Sequence, residues 1–194
     1  ADADKHAPAV QPQLVALAGR AGQRLRGEPG GGLLGVVAAE IDRLADFRHR
    51  VAQRLAAFLG EQAGELVFVG HSLGCLNFLW AASEGALPTR FSRALLVAPA
   101  DPTLLPDLDI ERLNVEKPDF STRIGAFVDQ VTLVASDKDM WLPRGIRATF
   151  GKQLGVEPVI IEGANHLSRA DGWGYWQGVI DWVNDPAADL TVRG

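Results

Sequence analysis

A chain of 194 residues fits one domain of ordinary size and can bury a core without the help of disulfides. Apolar residues make up 47% and charged residues 22%, and the net charge of −5, with 19 scattered Lys and Arg, excludes the basic stripe that a nucleic-acid partner needs. No apolar run approaches the roughly 20 residues of a membrane span, and the single cysteine, Cys75, leaves no internal disulfide. No signal peptide opens the sequence, so the expectation is one cytoplasmic domain over 1–194, with 1–9 and 185–194 poorly ordered.

Along the chain, strand-like and helix-like stretches alternate. Pro12 to Leu25 is ambiguous: Leu14, Leu17, Ala21 and Leu25 fit a helical face, yet Leu14 to Ala18 before Gly19 equally reads as a first strand. Gly30-Gly31-Gly32 precedes the apolar run Leu33 to Ala39, so the glycines read as a turn into a buried strand and not as a phosphate-cradling loop. Asp42 to Leu59 carries Leu44, Phe47, Val51, Leu55 and Leu59 as a helical stripe. Leu66 to Val69 reads as a strand, Leu73 to Glu84 as a helix, and Ala94 to Ala98 and Val131 to Ala135 as further strands. Arg144 to Leu154 reads as a helix started by Pro143, Val159 to Ile161 as a strand and Trp173 to Val183 as a closing helix. Short, uninterrupted apolar strands between helices imply an α/β architecture: a mostly parallel sheet covered by helices on both faces.

The strongest chemical signal is Gly70-His71-Ser72-Leu73-Gly74, directly after the strand Leu66 to Val69 and before a helix. In the Gly-x-Ser-x-Gly turn the serine occupies a strained corner, and the glycines remove side chains that would collide there. A serine hydroxyl attacks only once a base takes its proton, so a histidine is required. Of the four histidines, His6 lies in the opening stretch, His49 sits mid-helix between Arg48 and Arg50, and His71 belongs to the turn itself and points away from Ser72. His166 remains, in a loop just beyond the strand Val159 to Ile161, where reactive groups of open α/β sheets gather. An acid must then fix the histidine tautomer. Asp137 and Asp139 both follow the strand Val131 to Ala135; Asp139 is favoured as the acid, with Asp137 capping or orienting the loop. The first oxyanion donor should be the backbone N–H of Leu73, and the second should come from Gly19 to Gly22 if Leu14 to Ala18 is a strand.

These stretches, together with Ala94 to Pro102, Ser136-Asp137-Lys138-Asp139-Met140-Trp141-Leu142-Pro143 and Asn165-His166, resemble the small serine hydrolase family of YdeN and retinoblastoma-binding protein nine. The resemblance runs from about Leu66 to the end of the chain, and Ala98-Pro99-Ala100-Asp101 is its more specific marker. It implies an α/β-hydrolase-like fold with no cap domain and a triad falling on Ser72, Asp139 and His166. Two departures stand out: the first strand and its glycine loop are weakly marked, and Asn165 replaces the usual glycine before His166.

Cys75, on the first turn of the helix after Ser72, reads as a buried packing residue. Trp141, Trp173 and Trp176 flank the acid and histidine loops; packing suits all three, and Trp141 and Trp173 are also candidates for an apolar acyl site. No His/Cys cluster has metal spacing, and no cofactor is implied. The sequence therefore predicts hydrolysis of a small-molecule ester or related acyl substrate, without nucleic acid or membrane. A thioesterase, an acyltransferase and a hydrolase-fold binding protein with weak or no turnover are the alternatives, and the resemblance leaves room for a protein partner.

Overall fold

Parallel strands buried on both faces need near-continuous apolar runs, and Leu66–Val69, Ala94–Val97 and Leu133–Ala135 supply them. The computed structural model describes residues 13–18, 35–38, 65–104 and 119–194. Its strands are β1 (Gln13–Ala18), β2 (Gly35–Ala38), β3 (Leu66–His71), β4 (Phe91–Val97), β5 (Val128–Ser136) and β6 (Val159–Ile161). They form one sheet in the order β2-β1-β3-β4-β5-β6, and every neighbouring pair is parallel. Leu14 to Ala18, left open between helix and strand, is thus strand β1, paired with both β2 and β3. The stripe Asp42 to Leu59, the Gly30–Gly32 turn and residues 1–9 lie outside the described residues.

Alternate side chains of β3, β4 and β5 enter two cores. On one face Phe68, Ala94, Leu96, Leu133 and Ala135 meet helix α1 (Leu73–Ser83), with Phe150 and Phe120 closing the layer. Phe68 stacks on Phe78 of α1 at 3.7 Å between ring centroids, and Phe91 meets Phe78 edge-on at 5.2 Å. Helix α1 is apolar nearly all round, as a helix wedged in a core must be, with Cys75, Leu76, Phe78 and Leu79 all buried. On the other face Val67, Leu95, Val97 and Val134 pack with Trp173, Trp176, Leu190 and the fully buried Trp182. The guanidinium of Arg93, from β4, donates to the carbonyls of Trp182 and Val183 at 3.2 and 3.0 Å and so satisfies the closing helix's final turn.

Three expectations are corrected. Arg144 to Leu154 does not start as a helix at Pro143: Gly145 has φ +76°, a left-handed residue that stops regular winding. Beyond it the chain makes one wide turn over Arg147–Gly151 and then the short α-helix α3 at Lys152–Leu154, after the short α2 at Phe120–Gly125. The closing helix α4 covers Gln177–Asn184 and not Trp173 onward, because Gly172 is left-handed and Trp176 is extended. Finally, 185–194 is packed: Leu190 is buried, Trp176 Nε1 donates to its carbonyl at 2.9 Å, and Gly178 N donates to Val192 O at 3.0 Å. Gly178 permits this approach, since a Cβ there would lie 2.5 Å from the carbonyl oxygen of Asp189. Among the described residues no helix is long and apolar enough to cross a membrane.

Candidate active site

Strand β3 ends at His71 and α1 begins at Leu73, which leaves Ser72 alone to turn the chain. Its backbone takes φ 55° and ψ −122°, a conformation that L residues rarely adopt and that surrounding structure must enforce. The enforcement is visible. Ser72 N donates to Val97 O at 3.0 Å, and Ser72 O accepts from Cys75 N at 3.1 Å. Gly70 makes room: a Cβ there would come within 2.8 Å of two Phe68 ring carbons and 3.2 Å of Cys75 N. Leu73 is the first residue of α1, so its N–H belongs to the helix-end donors that have no carbonyl partner within the helix.

His166 reaches this turn from the loop after β6. Asn165 and Leu167 on either side both have φ 52°, and this pair of left-handed residues turns the imidazole out of its loop. Nε2 lies 2.9 Å from Ser72 Oγ, and Nδ1 lies 2.8 and 3.0 Å from the two oxygens of Asp139. An ionised carboxylate only accepts, so Nδ1 carries the ring proton and Nε2 is left to accept from the serine hydroxyl. The Asp139 side chain is fully enclosed, and Trp141 N also donates to its Oδ1 at 2.9 Å.

The acid and histidine loops are tied to each other and to the turn. Ser136 Oγ accepts from Lys138 N at 3.0 Å and from Ala164 N at 2.9 Å. Asp137 Oδ1 accepts from Gly163 N at 2.7 Å, the bond that chiefly holds its carboxyl below the ordinary range. His71 Nε2–H donates to the carbonyl of His166 at 2.8 Å, fixing the histidine's backbone from the serine's own turn. Burial pushes the His71 pKa down, against the raising influence of that bond and of Asp139 and Asp171. Asp171 accepts from Ser168 N and Oγ at 3.1 and 2.6 Å in a reciprocal cap that closes the histidine loop.

The structure therefore brings Ser72, His166 and Asp139 together, while Asp137 serves the neighbouring loop. Gly19 lies outside the described residues; Ala18 before it pairs in register with His71, so β1 ends level with the serine turn. Trp141 is 40% exposed, with its ring 6.5 Å from that of His166, and borders the site. Trp173 does not. It is buried in the core against Trp176 at 4.5 Å and is covered by the Arg193 guanidinium at 4.0 Å, so it is a packing residue and not a wall of the site. Cys75 is fully buried with Sγ 3.4 Å from Val97 O, and burial pushes its thiol far up, out of reach of nucleophilic use. Among the described residues no group of His, Cys, Asp and Glu could hold a metal. Sequence reasoning missed the supports: the His71 bond to the His166 carbonyl, the Ser136 bridge, and an ion pair between Asp101 and Arg144. The available signal was a polar residue at or soon after the end of an apolar strand, at Ser136 and, four residues past Val97, at Asp101.

A parallel sheet with a strand–serine–helix turn at its carboxyl edge defines the α/β-hydrolase fold. The chain belongs to the serine hydrolase family, whose model matches residues 37–185. Its fold is shared with the ydeN gene product of B. subtilis, at 17% identity over 87% of this chain and 95% of that one, with a TM-score of 0.62. A YdeN-like protein from Pectobacterium atrosepticum matches at 18% identity over 89% of both chains, with a TM-score of 0.61. Est1E from Butyrivibrio proteoclasticus matches at 16% identity over 84% of this chain and 82% of that one, with a TM-score of 0.53. No curated protein matches the chain.

Proposed function

We propose that this protein hydrolyses small esters through an acyl-enzyme on Ser72. The observation that carries the reading is the continuous hydrogen-bonded line from Ser72 Oγ to His166 Nε2 and from His166 Nδ1 to Asp139. Ser72 Oγ attacks the carbonyl carbon while its proton passes to His166 Nε2, and Asp139 stabilises the imidazolium that forms. The oxyanion of the tetrahedral intermediate faces Leu73 N–H at the positive end of α1, with the second donor assigned to the Gly19 loop. One such donor is worth about 3 kcal/mol of transition-state stabilisation. His166 returns the proton to the leaving oxygen as the C–O bond breaks, and a water repeats the sequence to release the acid and regenerate Ser72.

Small acyl groups suit the surroundings. Met140 and Trp141, next to Asp139, are 76% and 40% exposed and offer an open apolar border. Each buried methylene is worth about 0.8 kcal/mol, and an open border captures only part of that. A series of p-nitrophenyl esters tests the reading. Acetyl to butyryl esters should be hydrolysed, with kcat/KM flat or falling from hexanoyl onward and all turnover lost in Ser72→Ala. Turnover retained in Ser72→Ala overturns the mechanism, whereas kcat/KM rising steeply through decanoyl overturns the substrate class alone.

A further inference from the structure

The loop after β4 carries a buried carboxylate for which the proposed reaction has no use. Asp101 follows Ala98-Pro99-Ala100 and is 0% exposed. A buried charge persists only when it is paired and fully hydrogen-bonded, and Asp101 is both. Arg144 donates from Nε to Oδ2 at 2.6 Å and from Nη2 to Oδ1 at 2.9 Å, a two-pronged grip that sets orientation as well as distance. Thr103 adds its N–H and its hydroxyl to Oδ1 at 3.0 and 2.7 Å. Burial alone would raise the Asp101 carboxyl, but Arg144 and Thr103 outweigh it and hold the group below the ordinary aspartate value.

The backbone of the same residue leads to the active site. Asp101 N donates to Trp141 O at 2.7 Å, and Trp141 N donates to Asp139 Oδ1 at 2.9 Å. Trp141 is thus held at its carbonyl by Asp101 while its amide is offered to the carboxylate that faces His166. Arg144 lies three residues further along the same loop, so its ion pair closes a ring that runs from Asp101 through Trp141 and back.

We propose that the Asp101–Arg144 pair is a positioning device for Asp139, fixing the Trp141 backbone so that its amide aims the Asp139 carboxylate at His166 Nδ1. The role rests on the proposed serine hydrolase reaction. Neither residue touches the reacting atoms; both act through Trp141. If the ring is loosened, Asp139 stabilises the imidazolium less well. The acidic limb of kcat/KM then moves to lower pH, and kcat drops while KM changes little.

The test compares Arg144→Gln and Arg144→Lys with the wild type in p-nitrophenyl acetate hydrolysis across pH, with the folded fraction counted by burst titration. Arg144→Gln should lower kcat about 10- to 100-fold, the cost of a small misplacement at the reacting centre, and shift the acidic limb downward. Arg144→Lys keeps the charge beside Asp101 but not the two-pronged grip, and should fall between the two. Because the Arg144 side chain is 43% exposed, the lysine variant should fold, and it decides the matter alone if the glutamine variant does not. Folded variants with the wild-type kcat and pH profile would show that the pair serves stability only and overturn the inference. A wild type whose hydrolysis does not depend on Ser72 overturns the reaction itself, and the positioning role with it.

Discussion

The turn that carries Ser72 and the loops that carry its two partners are built by opposite means. Ser72 is fixed chiefly by its sequence neighbours, a strand that ends one residue before it, a helix that starts one residue after it and a glycine at 70 that clears the Phe68 ring, with one longer tie from its N–H to the Val97 carbonyl on β4. Asp139 and His166 are held from far along the chain. The bonds from Gly163 to Asp137, from Ala164 to Ser136 and from His71 to the His166 carbonyl span 26, 28 and 95 residues. The serine turn stores strain and rests on the strand and helix that flank it and on the neighbouring end of β4. The distant ties form only once the parallel sheet has set β3, β5 and β6 in register, so the complete site depends on the whole fold.

The largest effect should come from cutting the distant side where it meets the reaction. Asp139→Asn favours the wrong histidine tautomer and should lower kcat by about 10³- to 10⁴-fold with the fold intact. Asp137→Asn disturbs the bond to Gly163 and the longer contacts with Ser136 and Lys138, none of which reaches His166, and should cost far less. Steady-state kinetics of the two variants, side by side, would exchange the residues' roles if the ranking were reversed.

The local side breaks differently. Gly70→Ala would push a methyl to within 2.8 Å of two ring carbons of Phe68, which is stacked on Phe78 and cannot swing away freely. Overpacking of this kind should destabilise the protein by about 1–3 kcal/mol, and urea denaturation would measure it. Activity should fall with it, because Cys75 N, 3.2 Å from the same added methyl, is bonded to Ser72 O. Full stability in Gly70→Ala would mean that the turn is less constrained than its backbone angles imply.

The smallest effect sharpens the link between the two regions. His71 sits in the serine turn and holds the histidine loop, and burial lowers its pKa in the folded state. A histidine whose folded pKa is depressed is kept neutral by folding. Its contribution to stability is therefore fully present above about pH 6.5, the unfolded value, and is lost as pH falls from there through the lowered folded value. The groups that face it are His166, Asp139 and Asp171. Unfolding free energies measured between pH 7.5 and 5 should decline in the wild type and decline less in His71→Gln. Parallel curves would remove His71 from the pH response.

What the sequence made legible follows the same division. Ser72 was readable because its requirements are packed into Gly70 to Gly74 beside an apolar strand. His166 and Asp139 were found by elimination and by their places after β6 and β5, since nothing within 136–140 or 162–167 encodes their mutual distance. The sheet was legible in its uninterrupted strands, except β1, where spacing of the leucines suited a helix as well as a strand. The misread stretches failed for local reasons: a left-handed Gly145 interrupts one helix-like pattern, and an extended Trp176 interrupts the other. Trp173 suits packing and, by its nearness to His166 in sequence, also an acyl site; beyond the left-handed Gly172 it lies in the core. Residues 185–194 looked like a polar tail, and only the placement of Leu190 beside Trp176 makes them part of the fold.

The most direct test of the central claim is covalent. A fluorophosphonate reacts with a serine only when its hydroxyl is activated by a base and the displaced charge is stabilised. The folded protein should take up one phosphonyl group, mapped by peptide mass spectrometry to Ser72, with labelling abolished in Ser72→Ala and strongly slowed in His166→Ala. A folded protein that resists the probe, or that carries the adduct on another residue, would contradict the assignment of Ser72 as the nucleophile.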